Sequence, residues 1–250
     1  MSLLSNPETN YKAYKNKKLQ IDTYFLSLAQ SDLSGYNTCP MANKFIAKEN
    51  NPKKSNCSHV CVGSRGNAQV FPMIMQARIK KTIRFFEDRQ NFMNELVTEI
   101  AKAIIKSDKK GIKPTFRLNS YSDIRWESIK IDKFGGNTIY ELFPDVEFYD
   151  YTKLENRNTS YEYHITYSHW GNWDATKRAM ARGQNVAMVF DKRDELPKTF
   201  MGRVVVDGDK TDLRTPQNDG ENVIVGLRAK MSKAKIDEML KEKNTFIVKC

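Results

Sequence analysis

After Pro114 the chain changes character, and that change constrains its fold more than any other feature. Six short segments rich in β-branched and aromatic residues follow: Thr115–Leu118, Val146–Tyr151, Tyr163–Tyr167, Val186–Phe190, Arg203–Val206 and Val223–Leu227. Each has the composition of a strand. Several are separated by stretches of helix-forming composition, such as Asp174–Arg182. Strands alternating with helices point to a parallel sheet, because parallel neighbours need a long crossover between them. Val186-Ala-Met-Val-Phe190 is apolar without interruption, as a strand covered on both faces must be.

Upstream the period is helical. Val70, Met73, Ile74 and Ala77 recur three or four apart, and the helix begins near Phe71 with Pro72 in its first turn. A second helix from about Arg89 puts Phe92, Leu96, Ile100, Ala103 and Ile104 on one face and stops before Gly111. A last amphipathic helix, Lys233–Lys243, carries Ile236, Met239 and Leu240. Residues 1–38 read as a polar lead-in with an apolar patch at Tyr24–Leu28, and residues 39–66 as an irregular, loop-rich lobe.

The expected fold is therefore α/β: a mostly parallel sheet, barrel-like as a partial or complete β/α barrel, with an irregular Cys-containing N-terminal extension over 1–66 and the α/β domain over 67–250. Hydrophobic residues make up 40% of the 250, enough for one sizeable core. No apolar run reaches the length of a membrane span, and Met1–Asn16 lacks the apolar stretch of a signal peptide. The expectation is a soluble, cytoplasmic protein with no membrane partner.

The formal net charge is +11, and it is uneven. Residues 1–66 carry 9 basic and 4 acidic side chains, residues 67–114 carry 10 and 5, and residues 161–220 balance at 9 each. Such a basic N-terminal half is either a solvated surface or a face for a polyanion, nucleic acid foremost. Arg78, Lys80, Lys81, Arg84 and Arg89 would supply the phosphate contacts, although their alternation with Phe85 and Phe86 also describes one helix with a wet and a packed face.

In parallel α/β sheets, ligands sit outside the carboxyl ends of the strands. Each expected strand here runs into polar residues. Arg117 and Asn119 with Ser122 and Asp123 close the first, and Asp150 and Lys153 close the second. Ser168 and His169 close the third, and Asp207 and Asp209 follow the fifth. Turns alone recruit such residues, but six polar ends together describe a lined mouth. The candidate catalytic set is Arg117, Asn119, Asp123, Asp150, Lys153, Ser168, His169, Asp207 and Asp209. Asp207, Asp209 and Asp212 offer hard oxygen ligands for Mg²⁺ or Ca²⁺. The same residues also fit a hairpin turn with Asp212 paired to Arg214. His164 lies inside a strand and reads as packed, and His169 at a strand end as the functional histidine.

Four cysteines in a cytosolic-looking chain argue against a disulfide framework. Cys39, Cys57 and Cys61 cluster, whereas Cys250 is terminal. Three thiolates gathered by a polar loop suit zinc, with His59 as a fourth ligand, or a [4Fe–4S] cluster with one iron open. Ordinary reduced thiols remain the alternative. Gly63, Arg65 and Gly66 beside them suit close backbone approach to an anionic cofactor.

Cys57–Gly66, Gln76-Ala-Arg78, Lys81-Thr82, Phe85-Phe86, Arg117-Leu-Asn119, Ser122-Asp-Ile124, Trp126, Tyr149–Lys153, Tyr163–Ser168 and Val206–Asp209 resemble the phage "gene product 88" family over about residues 38–230. The resemblance implies a phage or prophage product working in a bacterial cytoplasm, and it carries no activity with it. More distantly, a cysteine cluster ahead of β/α units resembles a divergent radical-SAM-type partial barrel, although the C-x3-C-x2-C motif of those enzymes is absent. That second resemblance implies an iron–sulfur cluster and S-adenosylmethionine at the barrel mouth. The competing readings are a basic nucleic-acid-associated protein with a structural zinc and a host-takeover interaction protein without chemistry.

Overall fold

Alternation in the strand segments and 3.6-residue periodicity in the helical ones produce one layered α/β architecture in the computed structural model. It describes residues 2–41, 61, 63, 70–157, 159–192, 194–241 and 245–250. Nine strands form the sheet: β1 (Ile21–Phe25), β2 (Lys113–Arg117), β3 (Glu147–Thr152), β4 (Tyr163–Ser168), β5 (Val186–Phe190), β6 (Thr199–Phe200), β7 (Arg203–Asp207), β8 (Ile224–Arg228) and β9 (Ile247–Val248). Their spatial order is β1-β2-β3-β4-β5-β8-β7-β6, with β9 also on β5. Every pairing is parallel except β6 with β7. From β1 to β5 the strands lie in chain order, so their carboxyl ends line one continuous edge.

The expected strands are recovered within one or two residues, but the sheet is open. Its end strands β1 and β6 do not pair with each other, so a complete barrel does not form. The physical reason lies at the far edge, where the two-residue β6 folds back antiparallel on β7 and ends the parallel ladder. A second difference is upstream. The polar lead-in contains α1 (Tyr11–Asn16) and β1, and β1 pairs with β2 over its whole length. Residues 21–25 are thus part of the sheet and lie within no irregular extension. Asp22 and Thr23 hid the strand by interrupting its apolar pattern, while Leu26 and Leu28 beyond it are fully buried.

The two long helices, α2 (Pro72–Glu87) and α3 (Arg89–Asp108), are broken by Asp88, and α3 is followed by Gly111 at φ +65°. They cover one face of β1–β4. Phe85, Phe92, Met93, Leu96 and Ile100 pack on Tyr24, Phe116, Leu118, Phe148 and Tyr163. The helix α5 (Trp173–Ala181), after the single turn α4 (Ile139–Leu142), covers the same face of β4 and β5 through Ala175 and Ala179. Asn172 caps α5 by accepting the Ala175 N–H at 3.0 Å. A further turn, α6 (Pro216–Asp219), and α7 (Lys233–Leu240) complete the chain.

Candidate functional site

Successive strand residues face opposite sides of a sheet. With Phe116, Phe148 and Tyr163 committed to the helices, the strand register puts Thr23, Thr115, Arg117, Glu147, Tyr149, Tyr151, His164, Thr166 and Ser168 on the opposite, inner face. That face is polar at nearly every position, and residues from α1 and the 208–219 loop lie over it. Asn16 at the end of α1 donates to Thr23 Oγ1 at 2.8 Å and accepts the Asp212 N–H at 3.2 Å.

Arg117 is the centre of the inner cluster. Its Nη1 donates to Asp212 Oδ2 at 2.8 Å, and its guanidinium stacks over the Tyr151 ring at 4.8 Å. The Tyr149 hydroxyl donates to the same Asp212 oxygen at 3.5 Å. Burial opposes ionisation of Asp212, but the charges of Arg117, Lys12 and Arg214 outweigh it and hold its pKa below the ordinary value. Arg214 is buried beside them, forks onto Asp219 at 2.7 and 2.9 Å and donates to the Gly208 carbonyl at 3.1 Å. Nε of Arg117 and Nε of Arg214 are buried donors that meet no acceptor among the described residues. Each arginine is matched by a carboxylate, Arg117 by Asp212 and Arg214 by Asp219, so the buried cluster is balanced in charge and rich in hydroxyls and donors.

The second network lies behind the end of β2. Asn119 is a hub: its Oδ1 accepts from Ser122 Oγ, the Ile124 N–H and Trp126 Nε1 at 2.8, 2.9 and 3.1 Å. The Asn119 N–H donates to Asp150 Oδ1 at 2.7 Å, and the Tyr163 hydroxyl donates to Asp150 Oδ2 at 3.0 Å. Burial nevertheless lifts the Asp150 carboxyl to about 7, against Arg117 and these donors. Arg157, with a fully buried side chain, joins Tyr163, Asp123 and Glu127 at 2.8, 3.2 and 2.6 Å. Asp123 also accepts from Thr152 Oγ1 at 2.7 Å and the Lys153 N–H at 2.8 Å. This network fixes the loop after β2 and the end of β3 to one another.

Cys39 is tied to that loop. Thr38 donates to the Ala29 carbonyl at 2.7 Å and accepts the Asp123 N–H on its own carbonyl at 2.8 Å. The Cys39 thiol donates to the Tyr121 carbonyl at 3.5 Å and accepts the Ser31 N–H at 3.4 Å. Burial pushes this thiol up to about 11. Cys61 accepts the Gly63 N–H at 3.4 Å. Gly63 presses on the Tyr121 ring so closely that a Cβ there would lie 3.0 Å from it, and Arg78 stacks on that ring while donating to the Gly63 carbonyl at 2.6 Å. Cys39 thus bonds the Tyr121 backbone, while Gly63, two residues beyond Cys61, packs on the Tyr121 ring. Cys57, His59, Arg65 and Gly66 lie outside the described residues.

The structure thus brings Arg117, Asn119, Asp123, Asp150, Lys153 and Cys39 to one end of β2–β3. It separates the others. Asp207 and Asp209 pair with Arg228 at 2.8 and 3.3 Å, and Asp209 also with Lys230 at 2.9 Å. Asp212 pairs with Arg117 instead of Arg214, whose partner is Asp219. The three aspartates do not converge on one cation among the described residues. Ser168 is on the inner face at the end of β4. His169 is packed: Nδ1 lies 2.8 Å from Thr176 Oγ1, the ring stacks on Trp173 at 4.2 Å, and burial lowers its pKa to about 4. It is neutral at physiological pH.

Four of the five basic residues expected to meet phosphates make internal contacts. Arg78 holds Tyr121, Lys81 donates to the Leu3 carbonyl at 2.7 Å, Arg84 pairs with Glu95, and Arg89 stacks on Phe85 at 4.9 Å. Residues the sequence reading passed over are Tyr121, Tyr149, Tyr151, Arg157 and Tyr163. The alternation Tyr149-Asp150-Tyr151-Thr152 was the available signal, since two polar-tipped aromatics on one face and two hydrogen-bonding groups on the other mark a strand polar on both sides.

A family model described as gene product 88 matches residues 2–244. No curated protein and no solved structure matches the chain. No described helix is long and apolar enough to cross a membrane.

Proposed function

The chain belongs to the gene product 88 family of phage proteins, and we propose that it is an enzyme of the bacterial cytoplasm whose active site is the carboxyl edge of β1–β4. In this reading the sheet is a partial β/α barrel, and Cys39, Cys57 and Cys61 hold a metal centre at its mouth, a [4Fe–4S] cluster in preference to zinc. The observation that supports it is that Cys39 bonds Tyr121, beside Asp123 and Lys153, while Gly63, bonded to the Cys61 sulfur, packs on the same Tyr121.

The donor set fits a metal. The Cys39 and Cys61 sulfurs each accept a backbone N–H at 3.4 Å, the bond that stabilises a ligating thiolate. Burial keeps the Cys39 thiol protonated, and coordination to a cation is the ordinary way such a proton is lost. A cluster on three thiolates supplies one open iron, able to take S-adenosylmethionine. This chain's own residues would then bind and orient: Arg117, through its Nε, unpaired among the described residues, the anionic end of a ligand, and Tyr151 its flat surface. Asp150, wholly buried behind Asn119, positions that loop and does not reach substrate.

The test is anaerobic purification of the full chain with metal analysis, visible absorption and calorimetric titration with S-adenosylmethionine. The reading expects iron, a broad visible absorption and S-adenosylmethionine binding weakened in Arg117→Met. A protein carrying neither iron nor zinc overturns it.

A further inference from the structure

At the other end of the same two strands lies a group the site above does not use. Glu147 opens β3, and Glu162 and His164 lie two apart at the start of β4, so all three side chains fall on the inner face. His164 Nε2 is 3.7 Å from Glu147 Oε1 and 3.4 Å from Glu162 Oε2, and the three candidate ligand atoms lie within 4.8 Å of one another. Ligands about 2.0–2.2 Å from one zinc-sized ion stand roughly 3–3.6 Å apart. The two spacings from His164 are close to that, and the carboxylate pair lies within 4.8 Å.

Two further observations point at an ion. The Glu147 side chain is only 3% exposed, yet its ion-pair partners are Lys113 Nζ at 3.4 Å and His164 Nε2 at 3.7 Å. A carboxylate so buried ordinarily takes closer donors. The His164 Nε2 atom is itself buried without a hydrogen bond. One cation between them satisfies both at once.

We propose that Glu147, Glu162 and His164 bind one divalent first-row metal ion at the amino edge of β3 and β4. One imidazole and two carboxylates select Zn²⁺, Mn²⁺ or Fe²⁺, a different preference from that of thiolates. Lys113, on the far oxygen of Glu147, orients that carboxylate. Away from the strands' carboxyl edge, the ion is a staple between two central strands, and Glu162, half exposed, is its opening to solvent.

Mn²⁺ is the discriminating probe, because it favours carboxylate and imidazole over thiolate. The chelator-treated full chain, titrated with Mn²⁺ and followed by electron paramagnetic resonance, is expected to bind one ion and release it to Zn²⁺. Glu162→Gln and His164→Gln, with folding checked by circular dichroism, should each weaken binding by about tenfold or more, while Cys39→Ala leaves it unchanged. No bound Mn²⁺ at ~1 mM, or wild-type affinity in either Gln variant, overturns the proposal.

Discussion

The inner face of β1–β4 and the inner face of β5, β8 and β7 belong to one sheet and differ in kind. The first presents Thr23, Thr115, Arg117, Tyr149, Tyr151, Thr166 and Ser168. By the same register, the second presents Ala187, Val189, Val225, Leu227 and Val206. A strand polar on its inner face forgoes the apolar burial that normally stabilises it, and must be held by networks instead. The first half carries such networks, through Arg117, Asn119 and Arg157. In the second half the polar groups stop at the strand ends, where Asp207 and Asp209 meet Arg228 in partly exposed pairs. The two halves therefore differ in their strand interiors, polar on the inner face in the first and apolar in the second.

Charge removal should separate the halves most sharply. Arg157→Met leaves Asp123 and Glu127 without their buried partner and should cost about 3–5 kcal/mol in urea unfolding. Arg228→Met, whose arginine is 25% exposed, should cost ~1 kcal/mol or less. Equal losses would erase the distinction.

The pH dependence sharpens it further. Asp150 titrates at about 7 in the folded chain and at 3.8 ordinarily, so from pH 4 to 7 the folded state keeps a proton the unfolded state has released. Stability contributed by this group therefore falls as pH rises through that window, by a few kcal/mol at most. His169 works the other way. Its folded pKa of about 4 lies below the ordinary 6.5, so stability falls as pH drops from 6.5 to 4. Asp150→Asn should leave only the acid-side loss, and His169→Gln only the opposing one, in melting temperatures recorded from pH 4 to 8. A slope unchanged in Asp150→Asn contradicts the buried-carboxyl account.

Much of this was legible in the residues themselves. The parallel sheet, both long helices and β5 to the residue follow from periodicity and apolar runs. The strand β1 was not legible, because Thr23 is satisfied by a tertiary partner no local window contains, Thr115 at 2.9 Å, and Asp22 beside it breaks the apolar pattern. Asn119, Asp123 and Asp150 stood out as polar strand ends and do meet. Arg157 could not, since an arginine in a loop declares nothing until the fold closes two carboxylates around it. His169 shows the converse: its place at a strand end stood out, while its burial against Trp173 was not legible.

In the proposed function, the cysteines make the polar half a metal site. Its most direct measurement is the metal content of anaerobically prepared wild type, Cys39→Ala, Cys61→Ala and Cys250→Ala. The account predicts bound iron or zinc in the wild type, its loss in Cys39→Ala and Cys61→Ala, and its full retention in Cys250→Ala. Equal metal content in all four, or none in the wild type, would contradict it.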